Sequence, residues 1–417
     1  MAVSGTITRK TKQMSKGFFT KKETESTSRV DGKPATCAAC GLLKTAENPC
    51  MKPRGFFSKK ILIITDSIAE KEDKGGIYLN DQDGRWLINQ FSHIGVDVEK
   101  DCITVSSCMC FSPETPTLSQ TGNCRRKILS LINAMKPHLI VPVGMNAMFA
   151  LIGHRWKKDL GDIDKWRGWA IPDQDFNCWI TPVWNHRWVY ENREKQEVLT
   201  VWKQDMDRIQ YHIGQPLRTY VEPKIRYMKT PEFLNREKFQ SGRAAFDYET
   251  TSIKPYNRGN RVACVGIAVS ETEVYVFPIP KTKQEREPFL NWLKNKNVSK
   301  IAQNMKFETL WSKEALRTDV EGWEWDTMLA SHLLDNRVGV TGLKFQAYVQ
   351  LGIIDYDSSV IQYLQSKKGE ETNRVMEAME NESTRNELLK YCALDALYEF
   401  RLAMIQMKVM NYNDLPF

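Results

Sequence analysis

The amino-acid sequence predicts an α/β protein built from two units, the first of them around a parallel sheet. The short apolar runs "KILIITDS" and "HLIVPVGM" end in polar or glycine residues, which is typical of buried parallel strands. Between them, "GRWLINQFSHIG" and "CRRKILSLINAMK" have the apolar spacing of helices, and such alternation indicates an α/β sandwich. A second α/β unit begins at Ala244. There "RVACVGIAVSETEVYVFPI" predicts a hairpin joined at Ser-Glu-Thr, and mostly helical sequence follows "KIAQNM".

Composition divides the 417 residues into four segments. Residues 1–35 are rich in Lys, Thr and Ser, which predicts a flexible basic arm. Residues 36–212 are expected to form the first unit and residues 241–417 the second. Scattered prolines interrupt residues 213–240, so this segment is expected to be a linker.

Charge and hydropathy limit the possible partners of the chain. A formal charge of +8 and a pI near 8.8 favour a polyanionic partner without establishing one. No apolar run is long enough to span a membrane, and the N-terminus lacks the apolar core of a signal peptide. We therefore expect a cytoplasmic protein. Its ten cysteines are expected to be metal ligands and core thiols rather than disulfides.

Acidic side chains of the second unit form a candidate metal site. Asp247 and Glu249 lie two residues apart on the first predicted strand and therefore point to one side of a sheet. Glu308 lies one turn inside a predicted helix, whereas Tyr391 and Asp395 share one face of a later helix. If they converge, these carboxylates suit two Mg²⁺ or Mn²⁺ ions that hydrolyse a phosphodiester. Each short motif by itself also occurs by chance in unrelated proteins.

Taken in order, these motifs resemble a known family. "FDYET", "NMKFE" and "YCALD" resemble the three exonuclease motifs of the DnaQ-like superfamily, in the Tyr-containing subtype of A-family DNA polymerase proofreading domains. The resemblance covers roughly residues 240–410 and implies a ribonuclease H-like fold. It makes Asp247, Glu249 and Asp395 metal ligands and Tyr391 the residue that positions water. The second motif usually ends in Asp, so Glu308 implies an active site whose activity can be reduced.

Two residues next to this set are expected to support it. Asn304 lies near the cap of the helix that carries Glu308 and is expected to contact DNA. Asp326, in "WDTMLASHLL", is expected to cap or support a helix rather than to bind metal directly.

The cysteines of the first unit form a second candidate metal site. "CAAC" pairs Cys37 with Cys40, and Cys108 and Cys124 lie far downstream. Four thiolates can bind zinc or an iron–sulfur cluster, and the spacing does not decide between metal binding and core packing.

Four segments of the first unit resemble, in order, family-4-type uracil-DNA glycosylases. They are "CAACGLLKTAENPC", "KILIITDSIAEKEDKGGIYL", "ITVSSCMC" with "TGNC", and "KPHLIVPVGMNAM". The resemblance covers roughly residues 35–212 and implies a 4Fe–4S cluster on Cys37, Cys40, Cys108 and Cys124, with Zn²⁺ as the alternative. The family's Gly-Glu-x-Pro-Gly loop is replaced by residues 65–69, and its His-Pro motif by Asn185 or His186. We therefore expect this unit to bind DNA without excising bases.

Basic residues of this unit mix with aromatic ones, as contacts to phosphates and bases require. The candidates are Arg125, Arg126, Lys127 and Arg187. A solvated charged face is the alternative interpretation for the run at 125–127.

Together the two units resemble the front part of certain bacteriophage DNA polymerases, and no polymerase motif follows before Phe417. The sequence therefore predicts a 3′→5′ DNA exonuclease that proofreads for a separate A-family polymerase subunit and acts on single-stranded 3′ ends of primer-templates. The alternative is a tethering or processivity subunit of the replisome with weak nuclease activity or none.

Overall fold

The computed structural model describes residues 29–30, 33–34, 36–257 and 259–412. Most of the predicted basic arm, residues 1–35, lies outside the described residues. Across the described part of the chain, each helix is too short or too polar to cross a bilayer.

The first unit is built on a five-stranded sheet in the order β4-β3-β5-β7-β6, in which only β6 is antiparallel to its neighbour. Each of its strands is buried along its whole length, because helices cover both faces of a sheet of this kind. The strands of this unit, after the short pair β1 (Arg29–Val30) and β2 (Lys33–Pro34), are β3 (Ile61–Thr65), β4 (Cys102–Ser106), β5 (Leu139–Val143), β6 (Ile171–Asp173) and β7 (Cys178–Ile180).

Helices alternate with these strands, as the spacing of apolar residues predicted. The longest, Leu118–Met135, begins with a capping box in which Thr117 and Gln120 satisfy each other's backbone N–H groups. The helices of the unit are Cys37–Cys40, Glu70–Gly75, Gln82–His93, Val98–Asp101, Leu118–Met135, Met145–Ile152, Ile163–Trp166, His186–Glu191 and Gln196–His212, with a 3₁₀ turn at Leu42–Lys44.

The second unit is built on a six-stranded mixed sheet in the order β13-β12-β9-β10-β11-β8. The predicted hairpin is present, since β10 and β11 pair in antiparallel register, and β9 pairs with β10 in the same way. On the other side of β9, strands β12 and β13 run parallel to it. The strands are β8 (Lys224–Tyr227), β9 (Gly242–Thr250), β10 (Val262–Ala268), β11 (Glu273–Pro278), β12 (Val298–Ala302) and β13 (Trp323–Asp326). The predicted α/β fold class is confirmed.

The segment expected to be a linker, residues 213–240, is partly built into the second unit. Strand β8 pairs in parallel with β11 and extends the sheet at its edge. The 3₁₀ turns Pro231–Asn235 and Glu237–Phe239 then bury Phe233, Leu234 and Phe239. Prolines prevent one long helix here, but short turns between them still carry these apolar side chains into the core.

One long helix, Glu382–Val409, crosses the second sheet and packs on β9, β10 and β11. It approaches β10 at Gly266, where an added Cβ would lie 2.4 Å from the carbonyl oxygen of Cys392. The absence of a side chain at this glycine therefore sets how near the helix lies to the sheet. The other helices of the unit are Lys283–Lys294, Met305–Ala315, Thr327–Leu334, Leu343–Leu351, Ile361–Leu364 and Val375–Glu380.

The two units share a hydrophobic core instead of meeting only through a linker. Phe345 and Tyr348, on the helix Leu343–Leu351, pack among Trp156 and Trp166 of the first unit, with ring centroids 5.1 to 6.3 Å apart. These four side chains are nearly inaccessible to solvent. Because aromatic rings bury large apolar areas, this contact fixes one unit against the other.

Candidate active site

The centre of the second sheet places two carboxylates together. Asp247 and Glu249 lie on β9, and one carboxylate oxygen of each and the sulfur of Cys392 all lie within 4.8 Å of one another. Strand β9 pairs with β12 at residues 242–245 and with β10 along the stretch that carries both acids, so hydrogen bonds fix its backbone there. The period of two along the strand directs both acids to the face covered by the helix Glu382–Val409.

That helix supplies two more of the predicted residues. Tyr391 and Asp395, four residues apart, line the same cleft as Asp247 and Glu249. Tyr356, which the sequence did not single out, donates its hydroxyl proton to Asp395 Oδ1 at 2.6 Å and stacks on Tyr391 with ring centroids 5.9 Å apart. Two tyrosines therefore hold the orientation of the carboxylate of Asp395.

The cleft beside these acids is large. Its volume is about 850 Å³. Besides the acids and Tyr391, it is lined by Phe307, Lys254, Asn257 and the segment 364–366. Its base is acidic, and its walls carry the aromatic ring of Phe307, the ammonium group of Lys254 and the amide group of Asn257.

The electrostatics of the site indicate an excess of buried negative charge. Burial and the nearby Asp395 raise the pKa of Asp247 well above its ordinary value, and burial and Asp247 do the same for Glu249. Burial raises the pKa of Asp395 as well, although Lys344 opposes that shift. Acids that are buried side by side need a cation, and hard divalent cations prefer carboxylate oxygens. The donor set of Asp247, Glu249 and Asp395 fits Mg²⁺ or Mn²⁺.

Two further glutamates lie behind this set. Glu308 is 1% exposed and its Oε2 has no hydrogen-bond partner, so it is recessed from the cleft wall where the adjacent Phe307 stands. Burial and the charge of Asp247 raise its pKa. Glu399, also 1% exposed, likewise has an unpartnered Oε2, and burial followed by Asp247, Glu308 and Asp395 raises its pKa. Sequence reasoning missed Glu399, although it follows Asp395 by one helical turn.

Asn304 and Asp326 lie at the entrance to the helix Met305–Ala315. Asn304 has a left-handed backbone with φ of 70°, and its side chain makes no capping bond. Asp326 accepts hydrogen bonds from four backbone N–H groups at the starts of two helices, those of residues 304, 305, 328 and 329, at 2.9 to 3.1 Å. Asp326 thus has the supporting position expected for it.

The structure brings several cysteines of the first unit together. The sulfurs of Cys108 and Cys124 are 4.0 Å apart, and a contact with Cys108 lowers the pKa of Cys40 to about 6. Cys37 lies on the same short helix as Cys40. Two cysteines outside the predicted set join them, since Cys110 Sγ accepts the backbone N–H of Cys50 at 3.2 Å. The pocket formed by these cysteines is rich in thiols.

The predicted basic contacts have different surroundings. Arg125 is 5% exposed and donates to the carbonyl oxygens of Phe149 and Ala150. Arg187 is held by Glu72 and Asp83, both at 2.9 Å. Lys127 Nζ lies 2.9 Å from Cys50 Sγ, and Arg126 is exposed beside the thiol pocket. Three of the four cations therefore have partners inside the first unit, a fact that charge and spacing alone do not reveal.

Asp66 and Asn185, which stand where the glycosylase motifs are replaced, lie in contact. Asp66 accepts from the backbone of Asn146 at 2.6 Å and from Asn185 Nδ2 at 3.3 Å. Tyr78 is 5% exposed and donates to the carbonyl oxygen of Met51. His186 is almost completely buried, and burial lowers its pKa to about 3.

Comparison with known proteins assigns the second unit. Residues 225–410 match a protein-family model described as 3′-5′ exonuclease. The second unit carries a 3′–5′ exonuclease domain. A DNA polymerase of Bacillus phage SP01 is 21% identical over 336 residues, which cover 72% of this chain and 35% of that protein. This chain thus spans about a third of the length of the curated relative that it matches.

Solved structures also match somewhat less than half of the chain. Brucella melitensis NrnC with bound Mg²⁺ is 19% identical with a TM-score of 0.34, over 46% of this chain and 84% of NrnC. The catalytic core of RRP6 from Trypanosoma brucei is 12% identical with a TM-score of 0.35, over 47% of this chain and 50% of the core.

Proposed function

We propose that the protein is a metal-dependent 3′→5′ DNA exonuclease that proofreads for a replicative DNA polymerase of the phage type. The observation that carries the proposal is the cleft in which Asp247, Glu249, Tyr391 and Asp395 meet within the matched exonuclease domain. The net charge of +8 in a chain whose site is acidic supports a polyanionic substrate.

The roles of the residues follow from their positions. Asp247, Glu249 and Asp395 would hold two divalent cations, which supply Lewis-acid stabilisation of a phosphodiester and lower the pKa of water. Burial and the charge of Asp395 raise the pKa of Tyr391, so its hydroxyl stays protonated and can orient a water molecule by hydrogen bonding. Tyr356 keeps Asp395 in one orientation, which matters because catalytic geometry must hold within about 0.5 Å.

A nuclease assay tests this function. The protein is incubated with 5′-labelled single-stranded DNA and Mg²⁺ or Mn²⁺, beside Asp247→Ala and the control Asp319→Ala, which changes an exposed acid outside the cleft. We expect a metal-dependent ladder that shortens from the 3′ end, is lost in Asp247→Ala and is retained in Asp319→Ala. An equally labelled RNA of the same sequence measures whether the substrate is DNA.

The recessed position of Glu308 favours a second candidate function. If this carboxylate does not reach the cations, the nuclease is weak, and the protein serves mainly to tether DNA or a polymerase in the replisome. A ladder that is absent, or that persists in Asp247→Ala, together with retained binding of primer-template DNA would support this alternative.

The first unit is proposed to be a glycosylase-like module that binds DNA or a separate A-family polymerase without excising bases. The replaced loop at residues 65–69 supports this, because excision needs a snug polar pocket around an extruded base. Alkali-labile sites formed in uracil-containing DNA would contradict the proposal. Co-purification of a polymerase from infected or native cells would support the partnership.

We also propose that the thiol pocket holds a 4Fe–4S cluster, with Zn²⁺ as the alternative. The convergence of Cys40, Cys108 and Cys124, with Cys37 on the same short helix, supports it. Anaerobic preparations should then be brown, with broad visible absorbance and iron by elemental analysis. A colourless protein that contains zinc would identify the alternative, and a metal-free protein would reject both.

A further inference from the structure

A short basic segment of the first unit, residues 155–158, lies against the exonuclease domain. It follows the helix Met145–Ile152 and contacts the segment Ile353–Asp357 of the second unit across a small cavity. Arg155 and Trp156 are buried in the contact, whereas Lys157 and Lys158 are exposed. The segment thus carries two cations to the edge of the other unit.

Buried hydrogen bonds fix the position of this segment. Arg155, 2% exposed, contacts Asp173 at 2.8 Å and Asp175 at 2.6 Å. Tyr348 of the second unit donates its hydroxyl to the same Asp173 at 2.8 Å. Since Asp173 is fully buried, this three-way contact spans both units and holds the backbone next to Lys158 in one place.

Ion pairing leaves one of the nearby lysines unneutralised. Lys157 Nζ lies 3.8 Å from Asp355 Oδ2, and Lys344 is paired with Asp357. Within the ranges that the structure describes, no carboxylate lies within ion-pair distance of Lys158. Its ammonium group is therefore available to an anion from solution.

Lys158 lies near the proposed metal site, on the other side of Tyr356. It lines the same cavity as Lys344 and Tyr356, and Tyr356 reaches through to Asp395 Oδ1. A strand whose 3′ end is held at Asp395 would thus have a cation of the first unit beside it.

We propose that Lys158 binds a backbone phosphate of single-stranded DNA whose 3′ end occupies the exonuclease cleft, so that the first unit forms part of the nuclease's substrate-binding surface. This inference rests on the proposed exonuclease function. A lysine that contacts phosphate adds affinity that does not depend on sequence and is weakened by salt. It does not take part in bond cleavage.

Two substrates separate binding of a strand from chemistry. One is a labelled single-stranded oligonucleotide, and the other is the p-nitrophenyl ester of thymidine 5′-monophosphate, which has no second backbone phosphate. For Lys158→Ala we expect KM on the oligonucleotide to rise roughly three- to tenfold at low salt, and the slope of log affinity against log salt to fall by about 0.7. Hydrolysis of the small ester should be unchanged, Lys158→Arg should restore the oligonucleotide KM, and the exposed Lys203→Ala should resemble the wild type.

The possible negative results of this experiment separate failure of the inference from failure of the proposed function. An unchanged oligonucleotide KM and salt slope in Lys158→Ala would overturn the inference, and so would an equal loss on both substrates. If the wild type hydrolyses neither substrate, the proposed exonuclease function fails. The inference is then decided by the fluorescence anisotropy of the labelled oligonucleotide in Ca²⁺, where Lys158→Ala must still weaken binding and lower the salt slope for the inference to hold.

Discussion

At the scale of single residues, the candidate site depends on a glycine that carries no chemistry. Gly266 pairs with Asp247 in the register of β9 and β10 and faces the backbone of Cys392 in the overlying helix. A Cβ at this position would lie 2.4 Å from the carbonyl oxygen of Cys392 and 3.2 Å from Cβ of Ala396. The first distance is too short for any non-bonded contact. The helix can therefore lie this close to the sheet only because Gly266 has no side chain.

We therefore expect Gly266→Ala to push the helix away from β9 and to separate Asp395 from Asp247. Overpacking of this kind costs about 1–3 kcal/mol, and displacement of the acids should lower nuclease activity more than tenfold. Urea unfolding and the nuclease assay measure the two effects. Gly342→Ala is the matched control, because nothing lies within 4 Å of its added Cβ. Equal activity in the two variants would contradict this role of Gly266.

The raised pKa values of the buried acids predict how cations and pH affect stability. Burial and the charges of neighbouring acids raise the pKa of Asp247 and of Glu249 in the folded protein. The folded state then holds protons that the unfolded chain has already released, so metal-free stability falls as pH rises above the ordinary carboxyl value of about 4. A bound cation replaces those protons, and the rise in Tm on adding Mg²⁺ or Mn²⁺ should be larger at about pH 8 than at about pH 5.

Thermal unfolding with EDTA and with cation, at both pH values, measures this difference. The double variant Asp247→Asn, Glu249→Gln should lose the cation effect and should have a higher Tm than the wild type in EDTA at the higher pH. A cation-induced rise in Tm that is independent of pH would contradict the prediction.

Motif spacing could suggest the acids of the site but not how deeply each is buried. Asp247 and Glu249 follow from the period of two along a strand, and Tyr391 and Asp395 follow from the period of a helix. Glu308 satisfies its motif equally well, yet it is recessed, because its depth depends on how far its helix is rotated against the sheet. Glu399 carries no motif of its own, and a glutamate on a helix is usually exposed. The sequence does not distinguish Lys158 from the other lysines, because its position depends on the contact between the two units.

At the scale of elements, the contact between the units depends on the end of one helix. The helix Leu343–Leu351 ends at Gly352, whose φ is 73° and whose added Cβ would lie 1.7 Å from the carbonyl oxygen of Pro172 in the first unit. The backbone N–H of Gln174 in turn points to the carbonyl oxygen of Gly352 at 3.4 Å. The main chains of the two units are therefore in direct contact at this helix end.

Gly352→Ala should open this contact. The left-handed conformation alone costs a non-glycine residue about 1–2 kcal/mol, and the clash with Pro172 adds to that cost. Gly214→Ala separates the two contributions, since Gly214 has a φ of 74° but nothing within 4 Å of the added Cβ. We expect Gly352→Ala to lower the unfolding midpoint in urea clearly further than Gly214→Ala does. Equal shifts in the two variants would show that the contact contributes no stability.

The elements themselves were largely predictable, because apolar periodicity fixes their type. The buried runs at β3 and β5 and the hairpin of β10 and β11 follow from the sequence, whereas strand β8 does not. It lies at a sheet edge, and most of its side chains are exposed, so its sequence lacks the apolar signal of an inner strand. Its partner, β11, follows more than forty residues later, and local patterns carry no information about such pairing.

At the scale of the whole molecule, the shared core implies that the exonuclease domain is not independent of the first unit. Val340, Phe345, Tyr348 and Val349 of the second unit are at most 3% exposed and belong to the core cluster that includes Trp156 and others of the first. Each large apolar side chain buried in this way contributes about 1.5–3 kcal/mol. Removal of the first unit would expose all four of them in one patch.

Expression of residues 219–417 as a separate chain tests this dependence. We expect the fragment to aggregate or to unfold at a clearly lower temperature than the intact protein, because its stability loses the burial of that patch and the hydrogen bond from Tyr348 to Asp173. Co-expression with residues 36–218 should restore a soluble complex with Tm close to that of the intact chain, since the contact itself needs no covalent connection. Thermal unfolding and size-exclusion chromatography measure both outcomes. A monomeric fragment as stable as the intact chain would show that the interface is only a docking contact between independently folding units.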